Sequence, residues 1–398
     1  MKKKNYFKLL LSKLLDQIGN VTYDYANSVW IASMGTFGQK YLGIYQILET
    51  LIAIVFNPIA GAMADNSNRK KILLISDSIS AFICIFISLM GNDQILLYGI
   101  IIANAVLSIT YSFSSTAFKS IVPRAIDSDR VLAFNSLVET ILQIFSVLSP
   151  IITYYIYINF GIRIALMING FSFIGSFLAI LTIVDNTDSE NNSEKYVAKR
   201  PFKELFLDIK YGLKYIISSS ELLELLLLSA LVNFFLSFYN FLLPFSNAIF
   251  DNEEAYSRLL FFGALGSILG AFLSKFISNT RINLLLSLGL SGIGIVCIGL
   301  AKFPSIFILF SYIGNLIFMT FLSIYNIHFI SRIQQNVADE YMGRVFSTVF
   351  TIAILFMPLG TMTITLMPWA IDSTMFMAIG LAITLLSLLF TIGKKSKI

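Results

Sequence analysis

Gly61-Ala-Met-Ala-Asp65-Asn-Ser-Asn-Arg69-Lys70-Lys71 is the stretch whose reading decides the fold. An apolar run enters it from Tyr41, and another leaves it at Ile72. It therefore reads as a tight, charged hinge between two hydrophobic helices. Glycine lets backbones approach closely where membrane helices cross, which is the expected use of Gly61. Asp65 can face a cation or the positive end of a neighbouring helix. Arg69, Lys70 and Lys71 mark the cytoplasmic side of a membrane.

Composition agrees with a membrane chain. It is 57% hydrophobic and only 13% charged, whereas soluble domains carry about a quarter charged residues. The 36 Phe and 18 Tyr suit rings at lipid interfaces. Cys84 and Cys297 each fall inside an apolar segment and read as two buried thiols, with neither disulfide nor metal. The basic start, Lys2 to Lys4, leads into a segment carrying Asp16, Asn20 and Asp24 without a small-residue cleavage site. That segment is expected to stay as a helix.

Spanning helices need about 20 mostly apolar residues. Twelve such segments are expected: 8–34, 40–62, 72–91, 95–117, 131–157, 162–184, 222–246, 257–278, 282–301, 304–327, 341–367 and 373–392. Residues 185–221 are polar and charged, and form a cytoplasmic linker between an N-terminal half (1–184) and a C-terminal half (222–398). Within the linker, Phe202 to Ile217 space apolar residues at helical intervals, as an amphipathic helix on the membrane surface does.

Charge placement tests this topology. With both termini inside, all of the 28 Lys and Arg residues fall on the cytoplasmic side except Lys40, Arg163, Arg258 and Lys302. The net charge of +5 is thus a topology signal and not a sign of nucleic-acid binding. Gly61 recurs as Gly270 and Cys84 as Cys297 at nearly the same offset, an internal repeat. Two parallel six-helix halves imply a central cavity. The fold class expected is an all-α integral membrane protein of twelve transmembrane helices in two six-helix halves around that cavity.

No nucleotide-hydrolysis, HExxH, CxxC or GxSxG motif is present, and His328 is the only histidine. A hydrolytic enzyme is not expected, nor is a catalytic residue, metal or cofactor. Ionisable residues at membrane depth are costly, so they are functional candidates. In the first segment Asp16 and Asp24 recur with Gln17, Asn20, Tyr23 and Asn27 at three- and four-residue intervals, which gathers most of them on one face. Asp24 is deeper, and Asp16 lies nearer the cytoplasmic end. Glu49 and Glu139 are expected to be further buried acids. Burial disfavours the charged form of a carboxyl, and that is what a proton carrier requires.

The expected substrate cavity is aromatic and neutral around these acids: Asn20, Tyr23, Asn27 and Tyr111 from the first half, with Asn233, Phe238, Asn240 and Tyr325 from the second. Rings and one or two acids suit a lipophilic or amphiphilic, cationic small molecule. The spans are almost free of Arg and Lys, which argues against phosphate or dicarboxylate cargo. His328 is expected to be a satisfied interface histidine. Glu221 and Glu224, at the start of the seventh segment, read as structural.

The pattern Gly61-x-x-x-Asp65-x-x-x-Arg69-Lys70, placed after the second of many hydrophobic segments, resembles the loop between helices 2 and 3 of the major facilitator superfamily. Gly19-Asn20, Val131-Leu132-Ala133-Phe134-Asn135-Ser136, and the stretch from Ile333-Gln334-Gln335-Asn336 through Gly343-Arg344-Val345-Phe346-Ser347 look like its macrolide-efflux and enterobactin-export branch. The resemblance covers essentially the whole chain. It implies a gate in which Asp65, supported by Gly61 and Arg69, meets Arg344 at the start of the eleventh helix. The glycine-rich antiporter motif expected around Pro150 is degenerate, with Phe145, Ser149, Thr153 and Tyr154 where glycines would stand.

The reading that follows is a secondary active transporter that exports a small lipophilic substrate, a macrolide or another drug, against protons. It would work by alternating access as a monomer among the lipids of a bacterial cytoplasmic membrane. Nutrient uptake on the same fold is one alternative; a non-coupled lipid scramblase or a sensor is another.

Overall fold

The structure, a computed structural model, describes residues 2–183, 202–300, 307–338, 341–367 and 371–392. Every extended element in it is helical: α1 (Lys2–Ala32), α2 (Thr36–Asn66), α3 (Arg69–Ser88), α4 (Asp93–Ala125), α5 (Val131–Leu181), α6 (Phe202–Ser218), α7 (Ser220–Leu242), α8 (Ser246–Ile249), α9 (Ala255–Leu273), α10 (Arg281–Gly299), α11 (Phe307–Asn336), α12 (Met342–Leu366) and α13 (Ser373–Ile392). Mean hydropathy of the chain is +0.79. In hydrocarbon a helix satisfies its own backbone, so such a sequence has little other choice.

Ten of the described helices are long and apolar enough to cross a membrane. α5, at 51 residues, is one of them, and about 75 Å of helix is far more than a single crossing of a ~30 Å hydrocarbon core needs. It bends at Gly161, whose φ of 71° lies in the left-handed region that glycine tolerates. The expected segments 131–157 and 162–184 are thus two helical arms that meet at Gly161, and the chain doubles back there, because Phe134 of the first arm and Ile180 of the second pack in one core. With α5 counted as two arms and with the long, more charged α1 added, the membrane-length helices number twelve.

The chain forms two compact units, Met1–Met34 with Ile44–Pro201, and Gly35–Gly43 with Phe202–Ile398. In the first unit α1 packs along the C-terminal arm of α5. Gly19 makes this possible, because a Cβ there would run into Ser172 and Asn169. α3 lies against the same arm and against α4, and the Ser80 and Thr110 hydroxyls are 2.8 Å apart. Leu9, Ile121, Phe134 and Ile180 close one end of the unit as an apolar core. Lys70 donates to the carbonyls of Leu181 (2.9 Å) and Ile183 (2.6 Å), and Lys8 donates to that of Thr182. Both cations thus serve the negative C-terminal end of α5.

In the second unit α10 packs on α11 and α13. These contacts run through glycines: a Cβ at Gly294 would lie 2.7 Å from the Gly314 carbonyl, and one at Gly292 2.7 Å from that of Gly380. Small residues replace the hydrophobic drive that lipid cannot supply between helices. Arg281, at the start of α10, donates to the Phe390 carbonyl near the end of α13 and pairs with Glu224 at 2.7 Å. It is the counterpart of Lys70, since each opens one helix and caps another. Arg332 on α11 pairs with Glu221. The structural reading of Glu221 and Glu224 is thereby given partners.

The glycine expected to sit in a close crossing does not. A Cβ at Gly61 would meet nothing within 4 Å, whereas one at Gly270 would collide with the Thr320 carbonyl and lie 2.7 Å from Ser323 Cβ. The repeat holds in sequence while the packing differs, because Gly270 faces α11 and Gly61 lies on an open face. Residues 185–201 of the expected linker lie outside the described residues. Its amphipathic helix is present as α6, which packs on α12 through Gly212 against Thr348.

Candidate functional site

The polar residues of α1 divide between two faces. Gln17, Asn20 and Asp24, at i, i+3 and i+7, line a cavity of about 320 Å³ together with Tyr23. Ser12 and Asp16 turn the other way, toward α5: Ser12 Oγ is 2.8 Å from Ser176 Oγ. Of the six polar residues expected to gather mostly on one face, four, Gln17, Asn20, Tyr23 and Asp24, line this cavity, while Asp16 and Asn27 lie outside its lining. The 3.6-residue turn that unites 17, 20 and 24 carries 12 and 16 out of that stripe.

α2 brings Glu49 and Asn57 to the cavity, and α4 brings Asn104, Ser108, Tyr111 and Ser112. Asp24 and Glu49 interact electrostatically, and both side chains are exposed to this space, not sealed in the core. Tyr45 donates its hydroxyl to Asp24 Oδ1 at 3.3 Å. Asn104 in turn donates to the Tyr45 carbonyl at 2.8 Å, which fixes α2 against α4 beside the acids. The described lining holds two carboxyls and no Lys, Arg or His. Such a wall attracts a cation or a proton and repels anions. Of the first-half candidates, Asn20, Tyr23 and Tyr111 line this cavity, while Asn27 is fully buried outside its lining.

Glu139 is not buried. Positions 135–137, 139 and 140 are exposed while Phe134 and Val138 face the core, so this turn of α5 looks outward. Glu139 lines a separate hollow of about 480 Å³ beside Lys13 and Lys119. Glu49, also expected in the interior, is exposed to the cavity for a different reason: it sits on the α2 face that lines the open space.

The second-unit candidates are dispersed. Tyr325 is 2% exposed and stacks on Phe329 at 5.8 Å. Phe238 packs on Phe234 and Phe235. Asn233 donates to the Ser229 carbonyl of its own helix at 2.9 Å, and Asn240 is exposed. Tyr239 is the organising residue here. Its hydroxyl donates to Asn315 Oδ1 at 2.7 Å, and Asn315 donates to the Leu259 carbonyl at 2.6 Å, tying α7, α11 and α9 together. His328 is 3% exposed and its Nδ1 has no partner among the described residues, so it is not the satisfied histidine expected.

Among the gate residues, Gly61 lies on the last turns of α2 and Arg69 opens α3. Arg344 is exposed in the first turn of α12, where its carbonyl accepts from Thr348 at 2.7 Å. The Asp65 side chain lies outside the described residues. One acid escaped the sequence reading altogether. Asp77 on α3 is 2% exposed and accepts from Ser176 Oγ at 2.8 Å. The polar run Ser76-Asp77-Ser78 with Ser80, inside an apolar helix, was the available signal.

A bundle of membrane-length helices with an acid-lined cavity defines a multi-pass membrane transporter. The chain belongs to the Major Facilitator Superfamily, whose family model matches residues 18–361. Macrolide efflux protein A of Enterococcus faecalis is 22% identical over 322 residues, which cover 79% of this chain and 97% of that protein. An uncharacterized MFS-type transporter of Bacillus subtilis (strain 168), YkuC, is 23% identical over 291 residues; the match covers 69% of this chain and 66% of that relative, just under two thirds of its length. Among solved structures, the nucleoside transporter NupG superposes with a TM-score of 0.74 at 12% identity, over 98% of this chain and 99% of that one. A bacterial homologue of the iron transporter ferroportin gives 0.73 at 14% identity, over 96% and 98%. At these identities the structures bear on the fold alone.

Proposed function

We propose that this protein is a proton-driven exporter of lipophilic or amphiphilic cations, built as two six-helix halves (1–184 and 222–398) joined by a cytoplasmic linker (185–221). The observation that carries the proposal is the cavity of about 320 Å³ that presents Asp24 and Glu49 without a basic side chain. Two neighbouring carboxyls in a membrane repel each other when both are ionised, so one positive charge, a proton or a cationic cargo, is held there. Tyr23 and Tyr111 add ring surface on which a cationic, apolar molecule can rest. Proton entry from outside displaces the cargo by neutralising the carboxyl that held it.

Asp65, Arg69 and Arg344 take the gating role in this scheme. Glu139, beside Lys13 and Lys119, belongs to a second, exposed hollow; it has a part in cargo entry and not in proton transfer. The similarity to a macrolide efflux protein supports export and makes macrolides the first cargo to try.

The test is extrusion of a panel of lipophilic cationic dyes and macrolides from vesicles, with and without a proton uncoupler. Asp24→Asn and Glu49→Gln are each expected to abolish uncoupler-sensitive extrusion, and Glu139→Gln to leave coupling intact. Extrusion untouched by the first two variants would sink the mechanism. Substrate accumulation, in place of extrusion, would reverse the direction proposed.

A further inference from the structure

Asp77 lies outside the cavity just described, and nothing in that scheme uses it. It enters the bundle from α3 at 2% exposure and receives a hydrogen bond from Ser176 Oγ at 2.8 Å. Ser12 on α1, one turn before Asp16, lies with its Oγ 2.8 Å from the same Ser176 Oγ, and Asp16 Oδ1 is fully buried without a partner among the described residues. Asp16 and Asp77 also interact with each other electrostatically. Lys13 on α1, whose Nζ lies over the Phe118 ring at 5.7 Å, acts electrostatically on Asp16. α4 faces Asp77 with Thr110 and Tyr111, and the α5 arm faces it with Ser176.

Proton counting constrains this arrangement. A serine hydroxyl has one hydrogen to donate. Ser176 gives its hydrogen to Asp77, and Ser12 Oγ, 2.8 Å from Ser176 Oγ, is then the donor to Ser176. Two ionised carboxylates in one buried site repel besides. Neither serine hydroxyl then has a hydrogen left for Asp16, whose buried Oδ1 is without a donor among the described residues, and a proton held on the pair removes that uncompensated charge.

A second, independent feature supplies a route. A cavity of about 20 Å³, room for one water, lies beside Asp77 and is lined with Asn20, Ser80 and Tyr111. Asn20, Leu107 and Tyr111 also line the larger cavity of Asp24 and Glu49. The two spaces therefore adjoin through shared residues.

We propose that Asp16 and Asp77 form a second proton-binding pair inside the first unit, supplied through the water-sized cavity at Asn20 and Tyr111 from the acid-lined cavity. The bound proton does not depend on the export reading; only its use in turnover does. The pair stores one proton away from the cargo, so that cargo binding at Asp24 and Glu49 need not expel it to the bulk.

The experiment is infrared difference spectroscopy of the purified full chain in detergent, across pH and without cargo. A protonated-carboxyl band is expected to persist in the Asp24→Asn/Glu49→Gln double variant and to be lost in Asp77→Asn. Should Asp77→Asn not fold, Asp16→Asn serves the same purpose, and Ser176→Ala is expected to shift the pH midpoint of the band. Asn20→Leu is expected to keep the band while slowing its shift on transfer into D₂O by tenfold or more. A band unchanged in Asp16→Asn and Asp77→Asn would overturn the proposal, as would its displacement by sodium at constant pH. Loss of transport with the band intact would instead count against the export reading alone.

Discussion

Tyr45 on α2 donates its hydroxyl to Asp24 Oδ1 on α1 across 3.3 Å, at the edge of a cavity that contains no cationic side chain. The bond is long, so it holds the carboxylate in place more than it satisfies it. Tyr45 is itself held by Asn104, whose amide donates to the Tyr45 carbonyl, so α2 and α4 together set the direction of the Asp24 carboxyl.

Tyr45→Phe is accordingly expected to weaken binding of a cationic dye about three- to tenfold, since a hydrogen bond to a charged partner contributes on the order of 1 kcal/mol or more. Fluorescence titration of purified protein measures it. An unchanged Kd would show that Asp24 is positioned by other groups.

The repeated glycines should respond differently to the same substitution. Gly270→Ala places a methyl group against the Thr320 backbone, which cannot move aside, and should cost about 1–3 kcal/mol. Gly61→Ala meets open space and should leave stability within about 0.5 kcal/mol of the parent. Thermal unfolding in detergent compares the two; equal losses would contradict the packing described.

Arg281 serves two acceptors, Glu224 and the Phe390 carbonyl, whereas Arg332 pairs with Glu221 and reaches the Asn279 carbonyl at 3.4 Å. Arg281→Met should therefore destabilise the second unit more than Arg332→Met. A loss of about 1.5–3 kcal/mol is expected for the former, because it leaves a half-buried carboxylate and a helix end without their donor. Chemical denaturation of both variants gives the ranking, and the reverse order would refute it.

Both cysteines are free, but only Cys84 is fully buried, against Asn169 on α5. A membrane-permeant maleimide should modify Cys297 well before Cys84, as read by mass spectrometry of each peptide. Comparable rates would mean that the α3–α5 contact opens readily.

Much of the architecture was legible because hydrocarbon leaves the backbone few options. Ser373–Ile392 is found where an apolar run of that extent was read, and the other long helices begin and end near their charged or polar flanks. Gly161 lies in the gap read between the spans 131–157 and 162–184, and its φ of 71° and ψ of −178° turn the chain from one arm of α5 into the other.

The acids divide along the same line. Their rarity within apolar segments singled out Asp24 and Glu49 from composition, since an ionisable group in lipid is too costly to be incidental. Which of them meet is a matter of helix rotation and of partners far away in the chain. Asp77 meets Ser176, 99 positions further on, which Ser12 of α1 also meets, and Glu139 faces outward because the neighbouring positions on its helix pack the core. Periodicity on one helix names a stripe; the neighbour that covers it is chosen by packing between helices, through contacts such as Gly19 against Ser172. By itself, then, the sequence determined the membrane-length helices and singled out Asp16, Asp24 and Glu49 among their acids, while Asp77 went unread. The tertiary structure alone decided that these acids form two separate clusters, one open to a cavity and one enclosed in the bundle.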